Sequence, residues 1–475
     1  MATKKILVKG GWKKTGAEIK VLSPYDNSLV GSVYLAGAEE LEEAVSSALE
    51  VFGKLKEMAS HKKAEILEGV AGGIAGRAKE LAKTIALEAG KPIKDARREV
   101  ERAENTFKLA AEEAERMGGE VLPLDITAAS EGRTGVIRRF PVGPVLGITP
   151  FNFPLNLVAH KIAPAMASGC PIILKPAPKT PLTALLLGEI ISEAGCPAGA
   201  VNIVPASVED IQKLIEDDRI KNISFTGSAE VGWALKAQAG RKRVTLELGG
   251  NAGAVVCRDA DIEYAAKRCA AGAFSYAGQI CISVQRIYVQ KEIFERFKRF
   301  FLEECAKLKL GDPLDEKTDV GPMIDAASLE RTEGWVEEAV SQGAKVLTGG
   351  RREKSFFEPT VLTGTRPSMK VCGSELFAPV VTLDPFDGFK EAVLELNSGL
   401  YGLQAGIFTN DINRAFYAYN TLDVGGVIIN DAPTFRTDNM PYGGVKMSGL
   451  GREGVRYAIE EMTEIKILVL KTGGA

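Results

Sequence analysis

Histidine is scarce in this chain of 475 residues, which contains only His61 and His160. Two histidines leave little room for a multi-histidine metal centre, and they disfavour a hydrolase whose serine depends on a histidine base. A nucleophile in this protein therefore needs a carboxylate or a water molecule as its base, and cysteine is the side chain that needs least help. No metal site is expected.

The sequence also lacks an excess of charge of either sign. Its 59 basic and 62 acidic residues give a formal net charge of −3, and no basic cluster is visible. A nucleic-acid partner would require a basic excess or basic clusters, so none is expected. The composition, 45% hydrophobic and 25% charged, is that of an ordinary globular protein, and the length predicts about two to four domains.

No long hydrophobic run could cross a membrane. The longest uncharged stretch, residues 140–159, contains four prolines, which cannot share one spanning helix. The apolar run Ile6–Val8 is too short for a signal peptide. Seven cysteines, an odd number without metal-ligand spacing, are typical of a reducing compartment. We therefore expect a cytoplasmic protein with no membrane partner.

Hydrophobic periodicity divides the first half of the chain into a helical part and an alternating part. Apolar residues at helical spacing predict helices over 38–52, 62–89 and 93–117. Short β-branched runs then alternate with helical segments, which predicts a doubly wound parallel sheet with its ligand at the carboxyl ends of the strands. The predicted strands are Val145–Ile148, Ile172–Leu174, Val201–Val204, Ile223–Phe225 and Val244–Leu246.

A second α/β domain is expected from about residue 250 to residue 440, where the alternation resumes. Two β-type segments, 119–137 and 464–471, belong naturally to neither sheet. Such leftover strands often pair with another subunit, so an oligomer is expected. The predicted elements of the second domain are the strands Ala254–Val256 and Val284–Val289 and the helices Asp261–Ala273 and Lys291–Leu308.

Two residues are candidates for chemistry. Cys281 ends the glycine-led turn Gly278-Gln279-Ile280-Cys281 between a helix and a strand, where a thiol can be exposed and activated. Taken alone, a cysteine beside isoleucine is more often buried filler. Glu247 ends the fifth strand just before Gly249 and Gly250, and a carboxylate at an apolar strand end usually has a task or a partner. A salt bridge is the competing explanation for Glu247.

The segment Phe225–Gly232 is a candidate phosphate-binding turn. It runs from a strand through Gly227 and Ser228 into a helix, and a helix N-terminus approached by a glycine can bind a pyrophosphate. The segment lacks the three closely spaced glycines of the usual dinucleotide fingerprint, so by itself it is only weakly diagnostic.

Taken together, several segments of the chain resemble the aldehyde dehydrogenase superfamily, in the family's order and spacing and over essentially the full length. The 34 residues from Glu247 to Cys281 equal the family's usual separation of base and nucleophile. The run 151–161 looks most like the lactaldehyde and non-phosphorylating glyceraldehyde-3-phosphate dehydrogenase branches. The segments are Thr149-Pro150-Phe151-Asn152-Phe153-Pro154, Leu174-Lys175-Pro176, Phe225-Thr226-Gly227-Ser228, Glu247-Leu248-Gly249-Gly250, Gly278-Gln279-Ile280-Cys281, Glu375-Leu376-Phe377-Ala378-Pro379 and Pro441-Tyr442-Gly443-Gly444-Val445-Lys446-Met447-Ser448-Gly449.

The resemblance implies an enzyme that oxidises an aldehyde to its carboxylic acid with NAD or NADP. Cys281 would be the nucleophile that adds to the aldehyde carbon, while the Asn152 amide and the Cys281 backbone N–H would hold the oxyanion. Hydride transfer would leave a thioester on Cys281, and Glu247 would activate the water that hydrolyses it. A branch that passes the thioester to coenzyme A is the alternative. Glu247 speaks against that branch, because such enzymes can dispense with the base.

The resemblance also implies a cofactor site. Lys175 would contact the adenosine ribose, Ser228 the pyrophosphate and Glu375 the nicotinamide ribose, and Phe377 would lie beside the nicotinamide. The full set of expected cofactor residues is Ile148, Thr149, Pro150, Phe151, Lys175, Gly227, Ser228, Gly249, Glu375 and Phe377.

Two positions depart from the family pattern. Phe151 replaces the tryptophan that is commonest there, which is a mild change. Pro178 stands where many NAD-preferring members carry a glutamate that would repel a 2′-phosphate. The missing glutamate, with Lys179 adjacent, leaves NADP admissible and favours it slightly.

The substrate is expected to be a small polar aldehyde, hydroxylated or anionic. His160 falls where members acting on such aldehydes often have arginine, and Arg436 lies in the loop that usually lines the tunnel mouth. Phe153 is the third expected substrate residue. The competing interpretations are a buried, hydrogen-bonded His160 and a surface ion pair at Arg436. For the function, the alternatives are a broad-specificity aldehyde scavenger and an inactive protein that keeps the fold.

The expected architecture is α/β, with two doubly wound domains and a small β oligomerisation element. The NAD(P)-binding domain is predicted at 1–118 and 138–247, the catalytic domain at 248–440, and the oligomerisation element at 119–137 and 455–475. The chain is expected to form a homodimer or a homotetramer.

Overall fold

An eight-stranded sheet organises the first half of the chain in the computed structural model, which describes residues 3–472. Its five central strands are parallel and confirm the five predicted ones. The register pairs Ile148 with Lys175 and Thr226 with Glu247, so these residues share the carboxyl edge of the sheet. In spatial order the strands are Gly11–Lys13, Ile6–Val8, Val201–Ile203, Ile172–Lys175, Val145–Ile148, Asn222–Thr226, Arg243–Glu247 and Gly449–Leu450.

Helices cover both faces of this sheet and enclose its two apolar cores. The helix Asn156–Ser168 is almost wholly buried because it lies between the sheet and the N-terminal helices. The helices that connect the parallel strands are Asn156–Ser168, Pro181–Glu193, Val208–Glu216 and Ala229–Gln238.

Four helices precede the parallel strands, at Ala38–Glu57, Ser60–Gly76, Ala78–Ala89 and Ile93–Arg116. The single helix predicted over 62–89 is wrong, since the chain breaks at Arg77, whose φ of −108° and ψ of 19° are not helical. The Arg77 guanidinium bonds to Glu80 and to Glu189 on another helix, which holds the break. The apolar period continues on both sides of Arg77, so hydrophobic spacing alone could not reveal it.

A seven-stranded sheet forms the second half, and all its strands are parallel except the first. The α/β architecture expected for this half of the chain is thereby confirmed. In spatial order the strands are Lys345–Thr348, Thr360–Thr363, Val380–Phe386, Val284–Gln290, Ala252–Val256, Gln404–Phe408 and Gly426–Ile429. The helices around it are Ile262–Phe274, Phe294–Ala306, Ala326–Ser341, Lys370–Gly373, Phe389–Asn397 and Ile412–Thr421.

A separate three-stranded antiparallel sheet contains the two segments that fitted neither domain. The strand Arg133–Pro141 pairs with Thr463–Lys471 on one side and with Gly119–Pro123 on the other. The strand Thr463–Lys471 exposes most of its apolar side chains, among them Ile465 at 66% and Leu468 at 57%. We call this unit the three-stranded sheet.

The segment just before the last strand packs on the first domain. The helix Val455–Glu461 contacts the helices Asn156–Ser168 and Ile93–Arg116, although residues from 455 onward are predicted to serve oligomerisation. Residues 1–2 and 473–475, at the ends of the predicted domains, lie outside the described part of the chain.

Smaller strand pairs complete the fold. These pairs are Ala17–Leu22 with Leu29–Leu35, Arg352–Glu353 with Phe356–Phe357, and Tyr401–Gly402 with Val445–Lys446.

Within residues 3–472, no helix combines the length and the apolar character that crossing a membrane requires.

Candidate active site

A cavity of about 600 Å³ lies where the carboxyl edge of the first sheet meets the second domain. Side chains from both domains line it, including Asn152 and Glu247 from the first and Cys281 from the second. The three expected catalytic residues therefore border one space, although 129 positions separate the first from the last (281 − 152).

The loop that carries Cys281 has an unusual backbone. Tyr276, Ala277 and Gly278 are all left-handed, with φ of 48°, 53° and 67°. At Gly278 a Cβ would overlap the carbonyl of Ala378, so only glycine fits. The Tyr276 hydroxyl donates to the Ala89 carbonyl at 2.7 Å, which ties the loop to the first domain. Such strain persists only where the surroundings fix it, and here they hold the residue that ends the loop.

Cys281 is half-buried in the cavity wall. Its Sγ lies 3.0 Å from the Tyr442 hydroxyl. Burial raises the pKa of the Cys281 thiol to about 11, although the Tyr442 hydrogen bond and the charge of Arg436 act in the opposite direction. The neutral thiol therefore predominates at neutral pH in the free protein.

Asn152 is buried beside the same loop. Its Nδ2 donates to the Gln279 carbonyl at 2.9 Å, which orients the side chain. An amide nitrogen carries two hydrogens, so one remains for another acceptor. Within residues 3–472 the Asn152 Oδ1 is buried without a hydrogen-bond partner.

Glu247 is 3% exposed, and neither of its carboxylate oxygens has a hydrogen-bond partner in the described residues. The salt bridge considered for it from the sequence is absent from that part of the chain. Burial, assisted by the negative charge of Glu453, raises the pKa of Glu247 well above its usual value. An unpartnered buried carboxylate is costly to ionise, and it becomes a strong base once it has lost its proton.

A charged network that the sequence did not reveal lies next to Glu247. Glu453 accepts from Lys161 Nζ at 3.0 Å and pairs with Arg436 at 3.4 Å. Burial alone would raise the pKa of Glu453, but the charges of Lys161, His160 and Arg436 outweigh it and lower this pKa to about 2. The signal available in the sequence was Lys161, a lone charge on an otherwise apolar helix.

The cofactor side of the cavity is built on the candidate phosphate turn. Ser228 begins the helix Ala229–Gln238 and accepts from the Val231 N–H at 3.4 Å. Lys175 is 8% exposed and makes no ion pair within residues 3–472, and burial lowers its pKa. The Thr226 hydroxyl, two strands away at the same edge of the sheet, is buried without a partner there. A buried lysine and an orphaned hydroxyl beside a helix N-terminus fit the hydroxyls and phosphates of a dinucleotide.

Glu375 closes this side from the second domain. Its Oε1 accepts from the Gly250 N–H at 2.9 Å, and burial raises the pKa of Glu375 to about 7. A Cβ at Gly249 would overlap this carboxylate, so the absence of a side chain at Gly249 lets Glu375 take this position. The ring of Phe377 meets the ring of Phe151 edge-on, with centroids 5.9 Å apart.

Most of the expected cofactor residues border the cavity, and three lie behind its wall. Pro150, Phe151, Gly227, Ser228, Gly249, Glu375 and Phe377 line it. Ile148, Thr149 and Lys175 lie at the buried strand edge just behind. Lys179, which adjoins Pro178, forms an ion pair with Asp325 of the second domain.

The three expected substrate residues differ in their placement. Phe153 and Arg436 line the cavity, whereas His160 does not. His160 is 1% exposed and its Nε2 lies 3.0 Å from Asp438, which agrees with the buried, hydrogen-bonded interpretation. Arg436 is buried and paired with Glu453, so it is not a surface ion pair.

Further cationic side chains line the cavity beside Arg436. Arg102 bonds to Asp438 through Nη2 at 2.6 Å and through Nε at 3.4 Å, and Arg268 bonds to Asp431 at 2.5 Å. A guanidinium has five N–H donors, so each keeps donors for a ligand.

Within residues 3–472 no cluster of His, Cys, Asp and Glu could hold a metal ion.

The chain is similar to known proteins over nearly its whole length. Residues 12–468 match the sequence model of the Aldehyde dehydrogenase family. A 3-sulfolactaldehyde dehydrogenase of Priestia aryabhattai is 44% identical over 466 residues, covering 98% of this chain and 97% of that protein.

Two solved structures share the fold. Aldehyde dehydrogenase 21 from Physcomitrella patens, in complex with the reaction product succinate, has a TM-score of 0.98 at 44% identity and covers 100% of both chains. Glyceraldehyde-3-phosphate dehydrogenase from Methanocaldococcus jannaschii, in complex with NADP, has a TM-score of 0.92 at 42% identity and covers 96% of this chain and 100% of that one.

Proposed function

This chain belongs to the aldehyde dehydrogenase family, and from that premise we propose that it oxidises a small hydroxylated or anionic aldehyde to the carboxylic acid. The cofactor is NAD(P), as in the family. The observation that carries the proposal is that Cys281, Glu247 and Asn152 line one cavity together with Ser228 and Glu375.

The first chemical step uses Cys281 and Asn152. The thiolate of Cys281 adds to the aldehyde carbon, and the carbonyl oxygen takes up the negative charge. The second Nδ2 hydrogen of Asn152 and the Cys281 backbone N–H are the donors for this oxyanion. Removing one such donor costs about 10² to 10³ in rate.

The second step needs a hydride acceptor and a base. Ser228 and Glu375 would hold the dinucleotide, whose nicotinamide would supply the hydride acceptor, and loss of the hydride from the adduct would leave a thioester on Cys281. Glu247 takes a proton from water, and the resulting hydroxide attacks the thioester carbon and releases the acid and the thiolate. The presence of this base supports hydrolysis rather than transfer to coenzyme A.

The cofactor residues support a slight preference for NADP. Pro178 offers no negative charge against a 2′-phosphate, and Lys179 is adjacent. Because Lys179 is paired with Asp325, a 2′-phosphate would have to compete with or share this ion pair.

The cationic side chains support an anionic or hydroxylated substrate. Arg436 Nε is buried without a partner within residues 3–472, and a substrate anion or hydroxyl would satisfy it. Arg102 and Arg268 line the same cavity and add positive charge. The names of the sulfolactaldehyde relative and the glyceraldehyde-3-phosphate relative agree with this class.

Location and oligomeric state complete the proposal. All seven cysteines are free thiols, which supports a reducing compartment such as the cytoplasm. The exposed apolar strand of the three-stranded sheet supports a homodimer or a homotetramer.

The experiment that tests the proposal measures reduced nicotinamide formed from lactaldehyde, glyceraldehyde 3-phosphate, succinic semialdehyde and propanal. NAD and NADP are compared in parallel, and Cys281→Ala is the blank. We expect the polar aldehydes to have a higher kcat/KM than propanal. Faster turnover of propanal would instead identify a general aldehyde scavenger, and turnover only with added coenzyme A would identify an acylating enzyme.

A further inference from the structure

Tyr442 is the side chain that touches the reactive sulfur. Its hydroxyl lies 3.0 Å from Cys281 Sγ, which is hydrogen-bond distance for a sulfur acceptor. Tyr442 is 3% exposed and lines the cavity. The mechanism above gives this hydroxyl no task.

The surroundings fix the Tyr442 side chain in this position. Its backbone N–H donates to the Glu453 carbonyl at 3.0 Å, and the Glu453 N–H donates in return at 2.6 Å. The Arg436 guanidinium lies over the tyrosine ring, 3.6 Å from the centroid. Ile282 and Leu403 pack around the same ring. The hydroxyl is therefore held at the sulfur by backbone, cation and apolar contacts together.

The hydroxyl remains a donor at working pH. Burial raises the pKa of Tyr442 well above its usual value, and the negative charges of Cys281 and Glu247 act in the same direction. A protonated phenol beside a thiolate donates its hydrogen to the sulfur, and hydrogen bonds to charged acceptors are the stronger ones.

We propose that Tyr442 is a further catalytic residue, whose hydroxyl donates a hydrogen bond to Cys281 and stabilises the thiolate in a cavity that otherwise disfavours it. The proposal rests on the nucleophilic role proposed for Cys281. When the sulfur bonds to the aldehyde carbon, its negative charge passes to the oxygen, and the sulfur becomes a weak acceptor. The bond therefore acts before the attack and weakens afterwards.

The test compares the alkylation of Cys281 by iodoacetamide in the wild type and in Tyr442→Phe. Rates at this cysteine are followed by mass spectrometry from about pH 7 to about pH 11, the range below the raised thiol pKa. Losing a hydrogen bond to a charged group should raise the pKa of the Cys281 thiol by about one unit, which lowers the alkylation rate at pH 8 about tenfold.

The control variant is Tyr419→Phe, which removes the hydroxyl of a tyrosine that is 67% exposed on the surface. It should leave the profile of Cys281 unchanged. A second measurement, the ultraviolet absorbance of the thiolate in each variant relative to its Cys281→Ala counterpart, gives the thiolate fraction at each pH without a reagent. An unchanged alkylation rate at pH 8 in folded Tyr442→Phe would overturn the proposal.

Turnover separates this proposal from the proposed function. With lactaldehyde, the acid limb of kcat/KM against pH should move to higher pH in Tyr442→Phe by the same amount as the alkylation profile. If the wild type oxidises no aldehyde, the proposed function fails, while the alkylation profile still decides whether Tyr442 stabilises the thiolate.

Discussion

Two buried carboxylates of one cavity differ because their neighbours differ. Glu453 accepts from Lys161 and pairs with Arg436, and its pKa is lowered to about 2. Glu247 has no hydrogen-bond partner within the described residues, and its pKa is raised well above the usual value. Glu453 therefore stays ionised, while Glu247 holds its proton to higher pH than an ordinary carboxyl group does.

Replacing this base should separate the two chemical steps. In Glu247→Gln the thiolate can still attack and the hydride can still leave, but water is no longer activated. We expect a burst of about one reduced nicotinamide per site and a loss of about 10² to 10⁴ in steady-state rate. Stopped-flow measurement checks this, with the exposed Glu230→Gln as the control. A loss of the burst itself would contradict the assignment of Glu247 to hydrolysis.

Arg436 should affect anionic aldehydes more than neutral ones. Its removal in Arg436→Met takes away a buried charge with an unpartnered Nε, while Glu453 keeps Lys161 as its partner. We expect the KM for glyceraldehyde 3-phosphate to rise about tenfold to a hundredfold, with a much smaller change for propanal.

Steady-state kinetics with both aldehydes measure this difference, and Arg456→Met, on an arginine side chain that is 67% exposed, is the matched control. Equal effects on the two substrates would show that Arg436 acts on the fold or on Cys281 rather than on the substrate's charge.

The residues that the sequence pointed to are those that lie in contiguous motifs. Cys281 ends one short recognisable segment and Glu247 opens another, and both border the cavity. Tyr442 was present in a quoted motif, but its contact with Cys281 joins positions 161 residues apart. Hydrogen bonds across such separations depend on the packed fold, and for the same reason the sequence could not decide between a substrate contact and a buried, hydrogen-bonded role for His160.

A buried carboxylate also fixes one of the helices that cover the first sheet. Glu88 is fully buried and accepts from the N–H groups of Leu182 and Thr183, at 2.8 and 2.9 Å. These groups begin the helix Pro181–Glu193 and would otherwise lack partners. Burial outweighs these hydrogen bonds and raises the pKa of Glu88 to about 7.

This raised pKa predicts a pH dependence of stability. From about pH 4.5 to pH 7 folded Glu88 holds a proton that the unfolded chain has released, so the free energy of unfolding falls as pH rises. Between pH values well below 4.5 and well above 7, the free energy of unfolding falls by about 3 kcal/mol in total because of Glu88. Relative to Glu88→Gln, the wild type should therefore lose Tm between about pH 4.5 and pH 8. Thermal unfolding of both proteins at the two pH values measures this, and a constant difference in Tm would contradict it.

Helices and strands with a clear hydrophobic period could be predicted from the sequence. Elements that form only because they pair with a distant segment could not. All five central strands of the first sheet are present because each is a short β-branched run between turns. The strand Ile6–Val8 was missed as a strand because it joins the sheet through a distant segment, 201–203. The left-handed residues Tyr276 and Ala277 carry no glycine signal, and only the surrounding contacts hold them.

At the scale of the whole molecule, the site exists only where domains meet. Asn152 and Glu247 come from the first domain, Cys281 and Glu375 from the second, and Tyr442 from the segment that returns to the first. Neither domain alone contains the chemistry. The order of motifs in the sequence predicted which residues come from which domain. The shape of the cavity could not be predicted in this way, because it depends on how the two domains pack.

The three-stranded sheet predicts how copies of the chain associate. Ile467 and Val469 are 47% and 51% exposed on one strand, more than a strand of this length tolerates in water without a partner. Placing charge there, in Ile467→Lys combined with Val469→Lys, should prevent burial against a second copy. We expect sedimentation to show a homodimer or homotetramer for the wild type and a monomer for the double variant. Val208→Lys, at a position that is 77% exposed on the first domain, should keep the wild-type state. An unchanged oligomer in the double variant would mean that association uses another surface.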